Sequence, residues 1–374
     1  METLGSPLKI LFVYLAHPRM RKPDIDKDVT ELWNLVGSMG NAEVIDLIVQ
    51  KGVEFQSTYI GPGKAREVGE YLKVNPVDII VLNGNLKPGQ KFTLMKMYWR
   101  LRPAIRVWDR VDLILNIFSL HARTIEAKLQ IDLASMRHMG PRIFGMGMTL
   151  SRQGGGIGTR GIGETNTELM RRHWKREIKR VTDELAKSTG SRMRQMEHRK
   201  NMGLQTISIV GYTNAGKTTL FNLLTHKKHL VENALFATLD STVGEIFMPS
   251  LGKKVIVSDT IGFIANLPPE LIEAFTSTLM ESVHADVVLH VIDASIPDMV
   301  EKIDVVFDIL DQLHIPEEKE VLVFNKVDAA PGLNRNTIID LAGGRPYVFI
   351  SAKTHEGVDQ LVNSILPRFV GPTA

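Results

Sequence analysis

Gly211-Tyr212-Thr213-Asn214-Ala215-Gly216-Lys217-Thr218 constrains what this chain can fold into more than any other stretch of it. The octapeptide fits G-x-x-x-x-G-K-[ST], follows the apolar, β-branched run Thr206–Val210, and opens a helical run from Thr219 to Leu224. Glycines let a backbone wrap phosphates with its N–H groups turned inward, and a helix N-terminus adds the positive end of its dipole. Strand, loop and helix in this register leave little room for a chance glycine-rich turn. Lys217 is then expected to reach the β- and γ-phosphates of a nucleotide, with Thr218 placed for Mg²⁺ and Thr219 beside it.

The surroundings fit that reading. Leu204–Val210, Val255–Ser258, Val287–Ile292, Val321–Phe324 and Tyr347–Ile350 are short apolar runs separated by helical lengths. They predict a doubly wound parallel sheet, in which ligands bind at the carboxyl ends of the strands. Three further elements fall at such ends. Asp259-Thr260-Ile261-Gly262 follows the second run; its aspartate suits Mg²⁺ through a water, and the Gly262 N–H suits a γ-phosphate. Asn325-Lys326-Val327-Asp328 follows the fourth, and the Asp328 carboxylate can accept two donors of guanine, N1–H and the exocyclic amine, that adenine lacks. Ser351-Ala352-Lys353 follows the fifth and offers a backbone N–H to guanine O6. Each is weak alone; four in order at strand ends specify a guanine nucleotide, GTP or GDP. Phe236-Ala237-Thr238-Leu239-Asp240 precedes Asp259 where a first switch segment is expected, with Thr238 chosen as the second Mg²⁺-binding hydroxyl and Thr242 as its competitor. Threonines are common in ordinary loops as well.

The remainder is long enough for a domain of its own, the chain having 374 residues. Leu8–Leu15, Val44–Ile48, Asp78–Leu82 and Ile105–Trp108 read as strands alternating with helices at Asp28–Ser38, Gly61–Leu72 and Gln90–Trp99, which predicts a small parallel-sheet α/β domain over 1–111. From Asp112 the spacing of Leu113, Ile117, Leu120, Ala127, Ile131 and Ala134 predicts one long amphipathic helix fading near Gly140–Pro141. A glycine-rich stretch, 154–163, and a second long helix from near Glu164 complete a helical hairpin over 112–200. Ser188–Asn201 is the expected connection to the phosphate-loop domain, 204–374.

There are no cysteines, so thiolate metal sites and thiol nucleophiles are excluded. The run Leu8–Ala16 is shorter than the roughly 18 apolar residues that suggest a membrane helix and lacks a basic flank, so a cytoplasmic protein without a membrane segment is expected. His17, His121, His138 and His173 show no metal-ligand spacing, and nothing before the phosphate loop pairs a nucleophile with a base. The net charge of +3 conceals two basic stretches. Lys87, Lys91, Lys96, Arg100, Arg102, Arg106 and Arg110 face only Asp109, and Arg171, Arg172, Lys175, Arg176, Lys179 and Arg180 crowd one segment. Such concentration suits a polyanion; a solvated helix face, with Glu164, Glu168, Glu177, Asp183 and Glu184 paired at i,i+4, accounts for it equally.

The phosphate loop, Phe236–Asp240 and Asp259-Thr260-Ile261-Gly262-Phe263-Ile264 together resemble the HflX family of translational GTPases, within the Obg-like group. Tyr59-Ile60-Gly61-Pro62-Gly63-Lys64, the segment Ala122–Gln130 and the glycine-rich run from Gly154 to Thr165 are similar to the same family, so the likeness spans nearly the whole chain. It departs at Ile162 and Ser241, where the family usually has proline, and no further C-terminal domain is expected. The resemblance implies binding to the large ribosomal subunit and its rRNA, with the hairpin directed toward the peptidyl-transferase region, and the splitting or remodelling of ribosomes. It implies no membrane and no DNA, and a monomer away from the ribosome. The basic stretches then become rRNA contacts. A GTP-dependent switch regulating a non-ribosomal protein is the alternative. Phe263 stands where many signalling GTPases carry a water-orienting glutamine, so Lys217, Thr238 and Gly262 are left to act on the γ-phosphate and slow intrinsic hydrolysis is expected. In related GTPases an asparagine at the Asn214 position helps bind K⁺.

Overall fold

The computed structural model describes residues 6–153, 160–227, 242–260, 262–264, 271, 279–333 and 335–369. They fall into two units, one of residues 1–120 with 128–184 and the other of 121–127 with 185–374.

In the first unit β1 (Leu8–Ala16) is buried from Ile10 onward, as a strand covered on both faces must be. It pairs in parallel with β2 (Ala42–Lys51) and β3 (Ile79–Leu82), and β3 pairs with β4 (Arg106–Trp108), giving the order β2-β1-β3-β4. The crossovers are α1 (Lys22–Gly37), α2 (Pro62–Val74) and α3 (Pro88–Trp99). Each has proline in its first turn, where the missing N–H costs nothing. For α1 this moves the start six residues ahead of the expected Asp28, with the Asp24 carboxylate accepting the Arg21 N–H at 3.2 Å.

The single long helix expected from Asp112 is two, α4 (Arg110–His121) and α5 (Ile125–Gln153). Hydrophobic spacing carries across the break, but Thr124 caps the second helix by accepting the Ala127 N–H at 3.1 Å. Nor does α5 fade at Gly140–Pro141. Gly140 lies against Trp174 of α6 (Arg160–Asn201), whose Nε1 donates to the Met136 carbonyl at 3.1 Å. Ser188–Asn201, expected as a connection, is the last part of that 42-residue helix. Of the glycine-rich stretch, 154–159 lie outside the described residues and 160–163 form the first turn of α6. His138, without metal spacing in the sequence, is brought 3.2 Å from Asp109, while Lys91 pairs with Asp112. The fold thus gathers what the spacing did not suggest, since ligand atoms of Asp109, Asp112 and His138 lie within 4.8 Å of one another, close enough to share a metal ion, with Lys91 pairing to Asp112 in the same buried group that joins α3, α4 and α5.

The second unit is a six-stranded sheet in the order β10-β9-β8-β5-β7-β6. Its strands are β5 (Gln205–Gly211), β6 (Thr242–Met248), β7 (Lys253–Asp259), β8 (Val287–Asp293), β9 (Glu320–Asn325) and β10 (Tyr347–Phe349). All pairings are parallel except β6 with β7. The edge strand β6 lies outside the apolar runs that predict the sheet. Helices α7 (Lys217–Thr225) and α10 (Val358–Phe369) pack on one core, with Ile207, Ile209, Val257 and Val323, while α8 (Met299–Gln312) and α9 (Arg335–Ala342) cover the other, with Ile292 and Phe324. The winding reverses beside β5, which has β7 on one side and β8 on the other, so the crevice at its carboxyl end is the expected ligand position. Among the described residues no helix is long and apolar enough to cross a membrane.

Candidate functional site

The octapeptide loops from the end of β5 into α7, and its shape is fixed from below. Gly216 has φ 95°, and a Cβ there would lie 2.3 Å from the Asn325 side-chain nitrogen. No other residue permits both the left-handed backbone and that approach. Lys217 is buried, its Nζ donating to the Gly211 and Tyr212 carbonyls at 3.1 and 2.8 Å, so the ammonium lies curled under the loop. Burial pushes its pKa down to about 8, with Asp259 opposing the shift. A Cβ on Gly262 would come 2.9 Å from that ammonium, so glycine is what allows the D-x-x-G backbone to approach. The Phe263 N–H donates to the Gly211 carbonyl at 3.1 Å and its carbonyl accepts the Thr213 N–H at 2.8 Å, joining the two loops edge to edge.

Thr218 donates its hydroxyl to the Asp259 carboxylate at 2.8 Å. A hydroxyl and a carboxylate side by side are the hard oxygen donors that Mg²⁺ prefers, so these residues fit the ion expected there. The Thr260 hydroxyl instead turns back to the Ile209 carbonyl at 2.7 Å and ties the end of β7 to β5. Tyr212 packs inward with Lys302 5.0 Å above its ring, while Asn214 is exposed at the loop tip with φ 63°. Ala215 is buried and Thr219 half-buried in the first turn of α7.

Across the sheet, Asn325 joins the loops. Its Nδ2 donates to the Ala215 carbonyl at 2.8 Å, and its Oδ1 accepts the Ala352 N–H at 3.0 Å. That N–H is therefore a support for Asn325. Asp328 is exposed rather than buried, with one carboxylate oxygen accepting the Ser351 hydroxyl at 2.7 Å. Lys353 is exposed beside it. Lys326, at φ 64°, extends its ammonium to the Asn214 carbonyl and to Asp293, a residue at the end of β8 that the sequence reading did not single out. The available signal was an acid closing an apolar parallel strand at the carboxyl edge. Phe236, Ala237, Thr238, Leu239, Asp240 and Ile261 lie outside the described residues; Thr242 begins β6 opposite Asp259.

The arrangement offers phosphates a curled loop of N–H groups, a helix N-terminus and a buried ammonium, with a carboxylate and hydroxyl beside them and an exposed carboxylate along the same edge. Three family profiles match the chain: "GTP-binding GTPase N-terminal" over 26–119, "GTP-binding GTPase Middle Region" over 121–199, and "50S ribosome-binding GTPase" over 206–326. Curated relatives named GTPase HflX include one from Caldanaerobacter subterraneus subsp. tengcongensis, 41% identical over 92% of this chain and 77% of its own length. Another, from Escherichia coli, is 36% identical over 93% of this chain and 80% of its own. The solved structure of SsGBP in complex with GDP overlays with a TM-score of 0.54 at 24% identity, covering 97% of this chain and 99% of that one, which bears on the fold alone.

Proposed function

The chain belongs to the HflX family of GTPases, and from that premise we propose that it binds GTP at the carboxyl edge of the second sheet and uses the hydrolysis cycle on large ribosomal subunits, dissociating or remodelling ribosomes. The observation that carries the site is the convergence of Lys217, Thr218, Asp259, Asn325 and Asp328 on one sheet edge through the contacts described above. The phosphates lie against Gly211–Thr219 and Gly262. Lys217, already fixed by two carbonyls, turns its charge to the β- and γ-phosphates. Thr218 and Asp259 would hold Mg²⁺, which when bound would supply positive charge to offset that on the phosphates. Asp328 takes the guanine edge, with Ser351 fixing the carboxylate. K⁺ beside Asn214 would add a second cation, and unequal turnover in KCl and NaCl is the test.

Phe263 has no side-chain donor or acceptor with which to orient water, and its ring is buried, so slow unaided hydrolysis is expected until a partner completes the site. On α6, Arg171, Arg172, Lys175, Arg176, Lys179 and Arg180 are all exposed. Arg172 pairs with Glu168 and Arg180 with Glu177 and Glu184. Exposed pairs of this kind are weak and exchange readily for phosphate, which supports an rRNA-binding face, and ribosomal work would place the protein in the cytoplasm. Cosedimentation with isolated large subunits tests the proposal. Binding in the presence of a non-hydrolysable GTP analogue, weakening steeply with salt, is expected; absence of binding in either nucleotide state would favour a non-ribosomal partner.

A further inference from the structure

Asp293 ends β8 outside every motif that marks the nucleotide site. Its side chain is 11% exposed, and both carboxylate oxygens are engaged. Oδ2 accepts the Lys326 ammonium at 2.7 Å, and Oδ1 accepts the Ser295 N–H at 3.0 Å and the Ser295 hydroxyl at 2.6 Å. The same ammonium donates to the Asn214 carbonyl at 2.8 Å. Asp293 also stands in register with Asn325 on the neighbouring strand.

We propose that Asp293 is a positioning residue for guanine nucleotide binding: it holds Lys326 so that the base-facing loop and the phosphate loop stand assembled before the nucleotide arrives. Two features require such a hold. Lys326 has a left-handed backbone, with φ of 64°, a conformation that a long side chain adopts only where its surroundings enforce it, whereas Asn214, at φ 63°, takes it readily. A lysine side chain also has many rotamers, and ordering it on binding subtracts from affinity unless it is ordered beforehand. The Asn214 carbonyl is neutral and sits on an exposed loop tip. Asp293 brings the opposite charge, and Ser295 fixes the direction in which the carboxylate faces, so the hydrogen bond to Lys326 is charge-assisted and aimed. Removing the carboxylate leaves the strained Lys326 held by one contact, from its ammonium to an uncharged carbonyl.

The inference rests on the reading that Asn325–Asp328 take the base. Full-length Asp293→Asn and Ser295→Ala are compared with wild type for release of a fluorescent GDP analogue and for steady-state GTP hydrolysis. Asp293→Asn is expected to raise the GDP dissociation constant about tenfold, mainly through faster release, and KM for GTP by a similar factor, with kcat within about twofold. Ser295→Ala moves both in the same direction by about threefold, and carries the test should Asp293→Asn fail to fold. In a Lys326→Met background Asp293→Asn is expected to add nothing, because the partner it positions is gone. Wild-type release from both single variants, or an undiminished effect in the Lys326→Met background, overturns the inference alone. A wild type that binds no GDP overturns it together with the reading of the site.

Discussion

Asn325 on β9 donates its side-chain N–H to the carbonyl of Ala215 at 2.8 Å, so the strand that carries the proposed base-recognition loop also holds the phosphate loop in shape. The other end of the same carboxamide accepts the Ala352 N–H at 3.0 Å. Both contacts are buried, so losing them leaves polar groups without partners at about 1–3 kcal/mol each. Asn325→Ala is expected to weaken GDP binding at least tenfold and to lower the midpoint of thermal unfolding by several degrees, measured by titration calorimetry and differential scanning calorimetry.

Gly216→Ala attacks the same contact from the loop side. Its added methyl would lie 2.3 Å from the Asn325 nitrogen at a backbone φ of 95°. The loop must open or Asn325 must withdraw, and either move misplaces the N–H groups proposed to take the phosphates. Loss of measurable GDP binding with a folded circular-dichroism spectrum is the expected result.

At the proposed phosphate site, Lys217 is expected to give nucleotide binding a pH dependence. Burial sets its pKa near 8 in the free protein, below the ordinary lysine value of 10.5. Phosphates favour the ammonium, so binding above that pH takes up a proton. GDP affinity should be flat below about pH 7 and fall by up to about tenfold per unit above pH 8. Calorimetry in buffers of different ionisation enthalpy would detect the proton directly, and Lys217→Met removes the slope along with most of the affinity.

Much of the second unit was legible because a parallel sheet buried on both faces writes its strands as plain apolar runs, and Val287–Ile292 and Val321–Phe324 fell within a residue of the observed strands. The edge strand β6 was not, since Thr-Val-Gly-Glu-Ile-Phe-Met alternates only loosely and lies directly after the expected switch segment. The break between α4 and α5 escaped because Leu120 and Ala127 stay in helical phase across it, while the capping signal of Thr124 is one hydroxyl. Asp293 and Ser295 were invisible for another reason: an acid at a strand end gains meaning only when the fold brings Lys326 to it. The phosphate loop, by contrast, carries its chemistry in consecutive residues.

Glu320 gives stability a pH dependence of its own. It is buried at the start of β9, and burial pushes its carboxyl up to about 7 against the pull of Arg345. The Arg345 Nε lies 3.2 Å from the carboxylate without hydrogen-bond alignment, so the compensation is incomplete. A folded-state pKa above the unfolded value means the contribution is full below about pH 4.5 and is lost as pH rises through 7, amounting to about 3 kcal/mol. Denaturant titrations at pH 5, 6, 7 and 8 check this, and Glu320→Gln should flatten that part of the profile.

Calorimetric titration of GDP and ADP into wild type and Asp328→Ala asks whether Asp328 selects guanine at the proposed phosphate site around Lys217. Wild type should bind GDP about a thousandfold more tightly than ADP, and Asp328→Ala should bring the two within about tenfold by weakening GDP alone. Equal binding of GDP and ADP by wild type, or discrimination that survives in Asp328→Ala, would contradict it.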